Sequence, residues 1–123
     1  MLDPHIDPES DGGNVFILGL KSDTVLTLTP NIFKADDWPT RIRTRNDPSA
    51  ISLRSWTDED LDILLQRRGL VHLSGDARYK WKHAIRVGLD VGEPFNSICD
   101  WWGDLNSLIK REDERISIIL AYA

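Results

Sequence analysis

Apolar residues in this chain come in short stretches separated by polar and turn-forming residues, and that spacing restricts it to a fold built mostly from strands. Asn14 to Leu20 (NVFILGL) is β-branched and apolar, as a buried strand is. Asp23 to Thr29 (DTVLTLT) alternates, with Val25, Thr27 and Thr29 on one face and Leu26 and Leu28 on the other. Lys21 and Ser22 lie between the two as a turn, so the pair predicts a β-hairpin. Gly69 to Leu73 (GLVHL) reads as a strand closed by Ser74 and Gly75. Arg78 to Ile85 alternates again: Tyr79, Trp81 and His83 share one face, while Arg78, Lys80 and Lys82 point outward. Arg115 to Tyr122 (RISIILAY) is a strongly apolar last strand. Thr57 to Arg68 fits either period, since Leu61, Leu64 and Leu65 have helical spacing and Leu61, Ile63 and Leu65 alternate.

Two polar excursions, about 30–56 and 87–114, interrupt these strands, and Asp100 to Arg111 in the second reads as a short helix weakened by Gly103. A length of 123 residues fits a single domain over 1–123. Mainly β, with short helical excursions, favours an antiparallel sandwich or jelly roll over a parallel α/β sheet.

A net charge of -5 argues against a polyanion-binding chain as a whole. Locally, Arg67, Arg68, Arg78, Lys80, Lys82 and Arg86 stand against Asp76 alone, a cluster suited to an anionic partner or to a solvated strand face. Cys99 is the single cysteine, so no internal disulfide forms, and it reads as a buried thiol. No apolar run reaches membrane-spanning length, and the first residues lack the features of a signal peptide. The expectation is a soluble intracellular protein of cytoplasm or nucleus, with no membrane partner.

His5 and Asp7 are separated by one residue. In an extended segment both side chains project to one face, about 7 Å apart at the backbone. Two such ligands and a histidine from another strand make a two-histidine, one-carboxylate set, which leaves coordination positions open on a non-haem iron. His83, on the aromatic face of its strand, is the candidate third ligand. Taken singly, His5 reads as a loop residue, Asp7 as a turn former and His83 as a satisfied strand histidine.

Three blocks in order give these residues a context. LSGDARYKWKHAIR (Leu73 to Arg86) resembles the distal-histidine segment of the AlkB-like Fe(II)/2-oxoglutarate-dependent dioxygenases. RISIILAYA (Arg115 to Ala123) is similar to that family's final core strand, and DPHIDPESDGGNVFILGLKSDTVLTL (Asp3 to Leu28) to its metal-binding strand and the next hairpin. The DPH and WKHAI segments resemble its AlkB homologue 4 branch in particular. The resemblance implies a double-stranded β-helix, a cupin-like jelly roll. It implies Fe(II) held by His5, Asp7 and His83, and Arg115 pairing with the distal carboxylate of 2-oxoglutarate. The implied reaction converts 2-oxoglutarate and dioxygen to succinate and carbon dioxide. The second oxygen atom enters a C–H bond, often of an N-methyl group on a nucleic acid or protein, whose product then releases formaldehyde.

Two departures shape the expectation. Family members carry a second arginine six residues after the first, where this chain has Ala121. They also have a strand and a substrate-covering region ahead of the iron-binding pair, whereas Met1 stands four residues before His5. A barrel incomplete at its N-terminal side is expected, with a non-catalytic binding or scaffold module, or an inactive fragment retaining the barrel, as the alternative to an enzyme. His72 reads as structural, Tyr79 and Trp81 as packing beside His83, Trp101 and Trp102 as an aromatic pair for packing, and Gly12 and Gly13 as no phosphate loop.

Overall fold

Alternating and β-branched segments do become strands, and they pair antiparallel throughout. The computed structural model describes residues 2–31, 57, 59–86, 88–91, 97–102, 104–111 and 117–122. Within them lie β1 (Leu2–His5), β2 (Asn14–Gly19), β3 (Thr24–Pro30), β4 (Leu61–Leu65), β5 (Leu70–Leu73), the short helix α1 (Gly75–Tyr79), β6 (Trp81–Ile85), β7 (Leu89–Val91), β8 (Ser97–Trp102), β9 (Asp104–Lys110) and β10 (Ser117–Tyr122). Three sheets result, ordered β1-β6-β3-β4, β10-β2-β5 and β7-β8-β9, and none closes into a barrel. The mainly β expectation therefore holds at the level of class.

The four-stranded sheet is the central layer. Register places Leu26, Leu28, His83 and Ile85 on one of its faces. There Leu26, Leu28, Leu65 and Ile85 pack with Val15, Ile17 and Leu73 of the second sheet, and Trp81 borders the cluster. Each fully buried side chain of this kind contributes about 1.5–3 kcal/mol. The opposite face carries Val25, Thr27 and Thr29 and is covered by β8, whose Trp101 is fully buried. Because β3 is covered on both faces, all seven of its residues are buried, while β2 alternates.

Several expectations change. β2 and β3 do not form a hairpin; β2 pairs with β10 and β5, and β3 with β4 and β6. Lys21-Ser22 lacks the positive-φ turn chemistry of a tight hairpin, and the chain crosses to the facing sheet instead. The Thr57 to Arg68 ambiguity resolves as strand, because β4 must pair along β3 from Thr24↔Leu65 to Leu28↔Leu61. Asp100 to Arg111 is not a helix but most of the β8-β9 hairpin. The described parts of the 87–114 excursion form a sheet, held by Arg111, which donates to both Asp100 carboxylate oxygens at 2.6 and 3.1 Å. Of the 30–56 excursion, Pro30, which closes β3, and Asn31, whose N–H donates to the Lys80 carbonyl at 3.0 Å, lie among the described residues, and the rest lies outside them.

The outward basic face expected at 78–82 is also corrected. Arg78 and Tyr79 belong to α1, and the strand begins at Trp81. Arg78 and Arg86 are buried rather than solvated, while Arg67, Arg68 and Lys80 are exposed, so the six basic residues form no common surface. Arg86 donates to Asp62 and to the Trp101 carbonyl, both at 3.0 Å, and stacks 3.9 Å from the Trp101 ring. Cys99 is a buried thiol outside any disulfide, as its being the single cysteine implied. Among the described residues no helix is long and apolar enough to cross a membrane.

Candidate metal centre

His5 and His83 face each other directly across the β1-β6 ladder. Cross-strand neighbours put their side chains on the same side of the sheet, which brings the two rings to 4.2 Å between centroids. Asp7 is not on that strand. β1 ends at His5 and its register shifts between Leu2 and His5, so Asp7 sits in the following loop, beyond the extended segment that the sequence suggested. It reaches the histidines all the same: Asp7 Oδ1 lies 3.5 Å from His5 Nε2, and Asp7 Oδ2 lies 3.6 Å from His83 Nε2. One ligand atom from each residue lies within 4.8 Å of the others. Three donors on one face of an octahedron with bonds of about 2.1 Å would be about 3 Å apart, so an ion held here would draw the three side chains closer together.

Hydrogen bonding gives a second reason to read the cluster as a ligand set. Asp7 Oδ2 and His83 Nε2 are buried and have no hydrogen-bond partner among the described residues. Leaving such atoms unpaired costs about 1–3 kcal/mol each. An ion between them would satisfy both, and the donor set suits a divalent transition metal. His5 is the more open side of the site, with its side chain 38% exposed against 3% for His83.

Burial, with smaller contributions from His5 and Arg78 and against the pull of Asp7, lowers the His83 pKa from 6.5 to about 4. Neutral imidazole is the form that ligates, so burial keeps His83 ready at neutral pH. It also makes the metal-free fold acid-sensitive. Between pH 6.5 and about 4 the unfolded histidine carries a proton that the folded one excludes. Stability should therefore fall as pH drops through that window, by about 3 kcal/mol, and level off below it. Urea denaturation of chelator-treated protein across pH 7 to 4 measures this, and His83→Gln should flatten that part of the profile. An equal slope in both proteins would place its origin elsewhere.

The remaining candidates divide. Arg115 lies outside the described residues, and Ala121 is an exposed β10 residue opposite Val15 with no charge to offer an anion. His72 stays apart from the site, stacked on Phe16 at 4.3 Å and hydrogen-bonded to Asn14 at 2.9 Å. Trp81 is half-buried against the core, whereas Tyr79 is exposed on α1 and does not share its face. Arg78, read from the sequence as an outward strand residue, is instead buried against the loop that carries Asp7. Comparison with protein-family models, curated proteins and solved structures finds no match to this chain.

Proposed function

We propose that this chain binds Fe(II) through His5, Asp7 and His83 and acts as a 2-oxoglutarate-dependent dioxygenase that oxidises an N-methyl group on a nucleic acid or protein. The observation that carries the reading is the convergence of the three side chains, two of whose buried donor atoms have no hydrogen-bond partner among the described residues. The ordered resemblance of three sequence blocks supports it. So does the winding of the chain, which passes from β1 to β2 to β3, and from β4 to β5 to β6, between two facing sheets, as strands of a double-stranded β-helix do.

Iron held there supplies the redox chemistry and open coordination positions that an oxidation driven by a keto acid needs. The chain's own contribution is positional. His83 and Leu28 are paired in adjacent strands, so the third ligand rests on the middle of a buried sheet. Asp7 supplies the single negative charge of the ligand set. Arg115, just ahead of β10, is the proposed partner of the distal carboxylate of 2-oxoglutarate.

Anaerobic addition of Fe(II) and then 2-oxoglutarate should produce the visible charge-transfer absorbance of the chelate. Arg115→Ala should require much more 2-oxoglutarate to reach it. Ala121 favours one other reading, a metal-binding module without the cosubstrate, because the chain lacks a second arginine there. Iron binding with no response to 2-oxoglutarate would select that reading and end the dioxygenase proposal.

A further inference from the structure

Arg78 is 2% exposed, yet its guanidinium points at no carboxylate among the described residues. It is instead ringed by carbonyl oxygens. Nε donates to Gly12 at 2.8 Å, one terminal nitrogen to Asp7 at 2.9 Å and the other to Pro8 at 2.7 Å. All three carbonyls belong to the loop that carries the chain from β1 to β2 around the 3-10 turn Glu9–Asp11. Taking a guanidinium out of water is costly, and carbonyl dipoles offset that cost only when the geometry holds all of them in place. The planar fork of arginine spans three acceptors on both limbs of one loop, which a lysine ammonium cannot do.

The loop needs such a hold. β1 is an edge strand whose last paired residue is His5, so no ladder fixes the backbone at Asp7. Its own bonds, Asp11 N–H to the Pro8 carbonyl and Gly12 N–H to the Glu9 carbonyl, shape the turn without attaching it to the rest of the fold. Arg78 makes that attachment, and it stands five residues before His83 on the α1-β6 segment. One short segment thus delivers both the third ligand and the clamp on the second.

We infer that Arg78 is the positioning residue of the metal site, clamping the Asp7–Gly12 loop so that the Asp7 carboxylate meets His5 and His83. This rests on the proposed metal site. Co(II), whose visible spectrum reports its ligands, tests the two ideas separately in the full chain. Wild type should bind Co(II) with a defined spectrum, and Asp7→Ala should change it. Arg78→Lys keeps the charge but loses the fork; it should bind about 10- to 100-fold more weakly, the range typical of residues that orient ligands, with a spectrum moved toward that of Asp7→Ala. Wild-type affinity and spectrum in a folded Arg78→Lys would overturn the positioning role and leave the metal site standing. No Co(II) spectrum in wild type would overturn the metal site and this role with it. Should Arg78→Lys fail to fold, Arg78→Gln, which buries no charge and keeps one amide donor, is judged by the same criteria.

Discussion

Saturating Co(II), or Fe(II) under anaerobic conditions, is expected to raise the melting temperature of the wild-type chain by about 10 °C and to leave that of His83→Ala in place. A ligand at about 100 times its dissociation constant stabilises the folded state by about 2.7 kcal/mol. For a domain of this size each kcal/mol moves the melting temperature by about 4 °C. The effect is expected because the metal-free site keeps Asp7 Oδ2 and His83 Nε2 buried with no hydrogen bond among the described residues, a cost that a bound ion would remove. His83→Ala deletes one of those atoms and the proposed third ligand together. It should abolish the response without unfolding the chain, since the strand pairs His83 makes with His5 and Leu28 are backbone pairs. Differential scanning calorimetry with and without chelator measures both proteins. Equal shifts in the two would mean that the metal stabilises the fold from another site, and the triad proposal would fall.

The second large effect separates two adjacent tryptophans. Trp101→Ala should lower stability by about 3–5 kcal/mol, the usual loss on truncating a buried aromatic ring. Trp101 is fully buried, and it lies under the guanidinium of Arg86, a contact worth about 2 kcal/mol when desolvated. Removing the ring leaves a cavity between the central sheet and β8 and takes packing away from a buried charge. Trp102 is 47% exposed, and its indole N–H donates to the Asp62 carbonyl at 3.3 Å. Trp102→Ala should therefore cost about 1 kcal/mol. Urea denaturation of the two variants side by side gives the comparison. Similar, small losses would contradict the packing of β8 on β3 and leave Asp100 to Arg111 open to the helical reading.

How far each feature was legible in the sequence depended on where its determinants lay. β3, β5 and β10 were readable because period-two alternation and β-branched residues are local properties of the chain. Which strands pair was not readable, since pairing is decided by faces that must be buried. β3 needed cover on both faces; the sheet that holds β2 covers one and β8 the other, which leaves β4 and β6 rather than β2 as its paired neighbours. The 100–111 segment misled for the same reason. Asp100 looks like a surface residue until Arg111, arriving across the β8-β9 hairpin, neutralises it in the interior. Arg78 misled because a five-residue helix interrupts the alternation, turning the side chain from the solvent to the loop of Asp7.

The candidate site divides in the same way. By itself the sequence determined a β-rich chain, the ligand-type residues His5, Asp7 and His83, and blocks around them in an order that resembles an iron-dependent family. Only the tertiary structure decided that His5 and His83 stand opposite each other across β1 and β6, and that Asp7 reaches them from a loop held by a buried arginine. The physical reason is range. Alternation and turn residues act over a few neighbours, whereas a ligand set joins atoms some seventy-eight positions apart in the chain, His5 to His83, and its geometry exists only once the sheets have packed.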